Sequence, residues 1–495
     1  MTRHHHHHFV VLSFPAQGHI NPNLQFSKRL LRIGVRVTFV ASSYARLGTS
    51  TAASKLPDGL TFVEYDDGYD GKVKQGDEAK QRLARMKQSS SEALQQVVSS
   101  AALEGCPVTC IAYSLLLPWA AAVARELHVL SALIWIQPAT VFDIYYYYFH
   151  GFDGVMRELE DQEPSSTIDL PGLPISFTRR DLPSFVMPKN SYPAALDIFR
   201  EHMAELEVET SARVLVNTFD ALEPEALRSV SKLKLTAVGP LIPSAYLGGE
   251  DPSDTGFGVD LYPSTDNTSY VQWLDSKPHS SVIYVSFGSI SVLSKQQMEE
   301  IGRGLLDMGK PFLWVIRECG SKSGEDSTAD SEEDGDQKLI SCMEELEHVG
   351  VIVPWCSQLQ VLSHPAISCF FTHCGWNSTM ESLISGVPMV GFPQWTDQST
   401  NAKLVEDCWR TGARVNPNGD GLVERDEVKR LALRFVCLNN RDFACYQRLQ
   451  HCLLVALLLN PLENHISTPI PDLLHLLQTT PGGVPFSSNT VNNPG

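Results

Sequence analysis

Between positions 355 and 398 the chain reads WCSQLQVLSHPAISCFFTHCGWNSTMESLISGVPMVGFPQWTDQ, and several of its side chains can do chemistry together. Trp355 offers a flat plate on which a nucleobase can stack. His373 and Ser378 flank the start of a helical stretch, where they can donate hydrogen bonds to an anion. Glu381 carries a carboxylate able to accept both hydroxyls of a ribose, and the pair Asp397-Gln398 closes the run. Taken singly, each of these reads equally well as a core aromatic or a solvated helix residue. Their joint spacing fits a site that holds a nucleotide sugar.

The elements that must position them follow from local pattern. Positions 367–372 are apolar with β-branched and aromatic members, which predicts a strand; His373-Cys374-Gly375 interrupts it, and 377–385 predicts a helix stopped by Gly386. The first turn of that helix exposes unpaired N–H groups and the positive end of the helix dipole, so a diphosphate is expected there without any lysine. Strands are also expected at 351–354 and 387–392, each followed by a site residue. Loops at the carboxyl ends of parallel strands are where ligands gather in open α/β sheets.

A second constellation lies near the amino terminus. The spacing predicts a strand over 9–14, a loop Pro15-Ala16-Gln17-Gly18-His19, an amphipathic helix over 22–33 closed by Gly34, and another strand over 35–41. His19 then sits at the carboxyl end of the first strand, just ahead of a helix, where a neutral imidazole can act as a base.

The segment 355–398 resembles, almost position by position, the signature box of plant secondary-product UDP-glycosyltransferases, and FPAQGHINP matches the same family at the other end. The resemblance implies that Trp355 stacks on uracil, Cys356 offers backbone to the uracil edge, Gln358 also contacts the donor, and Glu381 binds the ribose. It implies that His373, Asn377 and Ser378 hold the diphosphate, that Ser289 in the turn Phe287-Gly288-Ser289 adds a phosphate contact, and that Trp376, Asp397 and Gln398 face the sugar. A final glutamine resembles the glucose-using members. His19 would be the general base of an inverting transfer from UDP-glucose to a small apolar plant metabolite. No metal or cofactor is implied, UDP-glucose being a co-substrate.

One departure stands out. Many members carry an aspartate that orients the histidine; here the position following Thr109-Cys110-Ile111-Ala112-Tyr113 is Ser114. Asp143 is either a substitute orienter or, as preferred, a surface helix carboxylate. Without the carboxylate a developing imidazolium loses support, which favours acceptors that ionise by themselves. Pro118-Trp119, the stretch VNTFDALEPEAL and the tyrosine run Tyr145-Tyr146-Tyr147-Tyr148 look most like a subgroup containing crocetin glucosyltransferases and anthocyanin 5-O-glucosyltransferases. Trp119, Gln137, Tyr145 and Phe185 are expected on the acceptor side, although four consecutive tyrosines on one helix point in several directions, so that at most two face a ligand.

Composition agrees. A chain of 495 residues with 43% hydrophobic residues can bury two α/β domains. The resemblance implies a GT-B fold: an acceptor-binding Rossmann-like domain over 1–240, a linker over 241–275 and a UDP-sugar-binding domain over 276–436. A formal charge of -18 without a basic stripe speaks against nucleic acid or an anionic membrane as partner. Eleven scattered cysteines without a CxxC pair fit a reduced cytoplasmic protein without a metal site, and no apolar run has the roughly 18 to 20 residues of a membrane helix. A monomer is expected. Residues 320–338 are acidic and read as a surface loop, and His4-His5-His6-His7-His8 reads as tag or native segment equally. From 437 to 495 the chain departs from the family's Lys- and Glu-rich helices; this atypical tail, partly disordered by composition, leaves open a catalytically impaired UDP-sugar binder as the alternative.

Overall fold

The computed structural model describes residues 7–44, 57–69, 76–188, 193–209, 212–248, 251–257, 267–317 and 340–436. The acidic segment at 320–338, the tail beyond 436 and His4-His5-His6 lie outside the described residues.

Two parallel sheets organise the molecule. The first contains β1 (His8–Leu12), β2 (Arg36–Ser42), β3 (Leu60–Tyr65), β4 (Cys110–Ser114), β5 (Leu130–Trp135), β8 (Arg213–Val216) and β9 (Lys234–Ala237) in the order β3-β2-β1-β4-β5-β8-β9. A short antiparallel hairpin, β6 (Thr167–Asp169) with β7 (Ser176–Thr178), lies between β5 and β8 in sequence. The second sheet contains β10 (Val282–Ser286), β11 (Phe312–Val315), β12 (Val351–Val353), β13 (Ile367–Thr372), β14 (Met389–Gly391) and β15 (Gly412–Arg414) in the order β12-β11-β10-β13-β14-β15. Every residue of β1, β4, β10 and β13 is buried, as expected for central strands covered by helices on both faces.

The strand order reverses between β1 and β4 in one sheet and between β10 and β13 in the other. Such switch points open a crevice beyond the carboxyl ends of the strands. His19 follows β1 and Ser114 ends β4, while Gly288 and His373 follow β10 and β13, so both candidate sites occupy the crevices that the topology creates.

Two readings of the sequence change here. The stretch after Pro240 is tied down where it is described: Asp254 is buried and accepts from Lys28 Nζ and Arg32 Nη2, each at 2.7 Å, and from the Ser244 backbone N–H at 2.9 Å. Lys28 and Arg32 are one turn apart on helix Gln17–Arg32, so a single carboxylate serves both. His8, the last of the histidine run, belongs to β1; it is buried, and its Nε2 lies 2.8 Å from Thr38 Oγ1. The end of that run is therefore part of the central sheet.

Candidate active site

Helix Gln17–Arg32 starts earlier than the sequence pattern suggested, so His19 lies in its first turn and not in a loop ahead of it. Pro22 misled the reading, because proline usually marks a helix start and here sits inside one. Proline lacks the N–H that residue 22 would send to the Gly18 carbonyl four residues back. That carbonyl instead accepts from Asn377 Nδ2, at 2.9 Å, on the helix of the opposite half.

His19 Nδ1 lies 2.7 Å from Ser114 Oγ at the end of β4. With Nδ1–H donating to the serine, Nε2 is the nitrogen left to take a proton. Part of His19 reaches the surface, yet its ring is enclosed beside Phe14, and burial pushes its pKa down to about 3. Among the described residues no carboxylate pairs with it. Asp143 is fully buried, contrary to the preferred reading of a surface carboxylate. Burial and, second, the nearby Glu223 carboxylate push its pKa well above the ordinary range. Glu223 accepts from the Ala139 and Thr140 N–H groups, capping helix Ala139–Tyr147 from a distance.

On the opposite half, helix Trp376–Ile384 begins after a turn in which Cys374 has φ 59°, and its N-terminus faces the crevice above β10 and β13. Gln358 connects the donor residues: its Nε2 donates to Ser378 Oγ at 2.8 Å and to Glu381 Oε2 at 2.9 Å, and its Oε1 accepts from Tyr284 at 3.3 Å. The Tyr284 hydroxyl also lies 3.4 Å from Cys356 Sγ, which brings buried Cys356 into the cluster. Burial drives the Glu381 carboxyl up to about 7, partly offset by the Gln358 hydrogen bond. A ligand that donates two hydroxyls would favour its ionised form.

His373 is buried, which pushes its pKa down to about 4; a backbone hydrogen bond with Ser286 raises it and Arg317 lowers it. A Cβ at Gly288 would come within 2.6 Å of His373 Nε2, and one at Gly375 within 2.5 Å. These glycines make room for the ring, and Gly288 also needs its φ of +76°. Arg317 donates to the Ser289 and Ser291 carbonyls, which fixes the turn after β10. Trp355 remains partly exposed, as a stacking plate requires.

Trp376 has a different setting from the sugar-facing one implied by the resemblance. It is buried against Trp409, and its Nε1 donates to the Asn217 carbonyl at 2.8 Å, pinning the helix to the first half. Asp397 is buried and accepts from Thr396 Oγ1 at 2.7 Å, Asn401 Nδ2 at 2.6 Å and Gln137 Nε2 at 3.2 Å. Burial raises its pKa, and these donors oppose the rise. Gln398 Oε1 accepts from the Gln394 and Trp395 backbone N–H groups, so the glutamine amide is held with its nitrogen end uncommitted by those bonds.

The four acceptor-side residues separate. Trp119 is buried and donates through Nε1 to Ser90 Oγ at 3.0 Å, and Tyr145 is fully enclosed, stacked on Phe199 at 4.1 Å. All four tyrosines of 145–148 are buried, more than the run suggested. Gln137 reaches across to Asp397, and Phe185 packs edge-on against Trp395, so these two stand at the seam between the halves. Sequence reasoning missed Asn401, which joins Asp397 to the Cys374 carbonyl at 2.8 Å, and the role of Pro22. The proline within FPAQGHINP was a visible signal; Asn401 gave none.

Comparison with known proteins agrees with this geometry. Residues 264–426 match the family model described as UDP-glucoronosyl and UDP-glucosyl transferase. The chain is 55% identical over 429 residues to a phloretin 4'-O-glucosyltransferase of Malus domestica, covering 85% of this chain and 88% of that one. It is 51% identical over 424 residues to a chloroplastic crocetin glucosyltransferase of Gardenia jasminoides, covering 85% and 87%. The crystal structure of Os79 from O. sativa with UDP superposes with a TM-score of 0.78 at 30% identity, covering 95% of this chain and 99% of that one. The chain belongs to the plant UDP-glycosyltransferase family, in the subgroup that includes crocetin glucosyltransferases, and has the GT-B fold. It is a UDP-glucosyltransferase of small metabolites.

Proposed function

We propose that the protein transfers glucose from UDP-glucose, with inversion, to acidic oxygens of small apolar plant metabolites: phenols and carboxylic acids. The observation that carries this reading is the Ser114 hydroxyl at His19 Nδ1, where a carboxylate would support an imidazolium. A neutral serine stabilises the protonated histidine poorly, and burial already disfavours it. An acceptor that is ionised near neutral pH needs little from the base. His19 then orients the acceptor oxygen, which attacks the anomeric carbon opposite the departing UDP.

The leaving diphosphate is met by the N-terminus of helix Trp376–Ile384 with Ser378 and His373 beside it. No metal is required on this reading, and full activity in the presence of a chelator is the expected result. The names of the relatives, a phloretin 4'-O-glucosyltransferase and a crocetin glucosyltransferase, are in keeping with phenolic and carboxylic acceptors. The test is a panel of acceptors graded in acidity, incubated with UDP-glucose and followed by product mass. Alkali-labile adducts identify esters and stable ones identify ethers. Fastest turnover of simple aliphatic alcohols overturns the proposal. UDP-glucose binding without transfer to any acceptor would instead favour an impaired binder.

A further inference from the structure

We propose that Ser184, on the acceptor half, is a positioning residue for the donor sugar. The inference rests on the reading above that Asp397 binds the sugar. Thr396, which immediately precedes Asp397, has φ 59°, a left-handed conformation in which a β-branched residue is an outlier. The segment needs an outside hold to keep that shape.

Ser184 supplies it across the seam. Its backbone N–H donates to the Thr396 carbonyl at 2.9 Å, and its Oγ accepts from the Thr396 N–H at 2.8 Å. The two bonds form a reciprocal clamp on both polar backbone groups of the strained residue. Next door, Phe185 packs against Trp395 with ring centroids 6.1 Å apart. The clamp therefore grips the backbone directly before Asp397, while Thr396 Oγ1 itself donates to the Asp397 carboxylate. Losing the Ser184 hydroxyl leaves the Thr396 N–H without its acceptor and lets Asp397 drift from the sugar. The clamp does not touch the residues expected to hold uridine, Trp355, Gln358 and Glu381, or those expected to hold the diphosphate, His373 and Ser378.

This separates two ligands that differ by the sugar. Ser184→Ala, Ser184→Thr and, as a reference, Asp397→Ala are compared with the unaltered protein in UDP and UDP-glucose titrations. Expected for Ser184→Ala is a five- to twentyfold loss of UDP-glucose affinity, UDP affinity within twofold of the unaltered protein, and recovery of most of the loss in Ser184→Thr, which keeps the hydroxyl. If Asp397→Ala shows the selective loss while Ser184→Ala changes neither ligand, or weakens both alike, the clamp is overturned. If Asp397→Ala does not distinguish the two ligands, the assignment of Asp397 to the sugar fails, and the clamp's role fails with it.

Discussion

The donor half and the acceptor half are both built on parallel sheets with a switch point, yet they gather their functional residues in opposite ways. On the donor side Trp355, Gln358, His373, Ser378 and Glu381 all come from one continuous run, delivered by consecutive strand, turn and helix units. On the acceptor side His19 meets Ser114 from a strand 95 residues away, and Gln137 meets its partner only on the other half. A binding site for an invariant ligand can be written into one supersecondary unit. A catalytic pair that must also face a variable acceptor is assembled from the ends of separate strands.

The division of labour can be broken most severely at His19. His19→Ala should lower transfer to a weakly acidic hydroxyl by about 10² to 10⁴-fold, the usual worth of a positioned base, and transfer to an ionised carboxylic acid by less, while UDP-glucose affinity stays unchanged. Loss of donor binding in a calorimetric titration would show that the two halves are not separable. A smaller effect is expected at Glu381. Its pKa of about 7 in the ligand-free protein lies above the ordinary value of 4.5, and the ribose favours the charged form, so binding releases a proton. UDP-glucose affinity should therefore rise as pH increases through about 7, by up to roughly tenfold, and Glu381→Gln should flatten the profile.

Ser114→Asp sharpens the contrast from the other side. With pKa about 3, unaltered His19 stays unprotonated from pH 5 to 8, and the rate in that window follows ionisation of the acceptor. A carboxylate at 114 would raise the histidine's pKa, so the variant should lose activity as pH falls toward 5 and gain several-fold on weakly acidic alcohols. Unchanged pH profiles would show that Ser114 does not govern the base. The smallest effect is expected for Pro22→Ala, which restores an N–H able to compete with Asn377 for the Gly18 carbonyl. Transfer should fall about threefold, in line with the roughly 0.5–1.5 kcal/mol net worth of one hydrogen bond, with little change in melting temperature.

Much of this is legible in the sequence. The apolar runs at 367–372 and 9–14 gave β13 and, starting one residue and ending two residues earlier, β1, because central parallel strands must be hydrophobic on both faces. The helix at Gln17–Arg32 was placed too late because a proline inside a helix is tolerated only when its missing bond is replaced, and the replacement came from residue 377. Asp143 looked like a surface carboxylate because burial of an acid beside Glu223 leaves no mark in local pattern.

By itself the sequence determined the strand, turn and helix units of positions 355–398, since their apolar runs, breakers and stops are local signals, whereas the sheet order sets two further strands between β12 and β13. Only the tertiary structure decided how the halves meet. Asp181 is buried against Arg414 at 2.6 Å, 233 residues away, and Thr396 is held by Ser184 across a separation of 212. No periodicity encodes such pairings; they exist because folding places two surfaces together and their buried polar groups must find partners there.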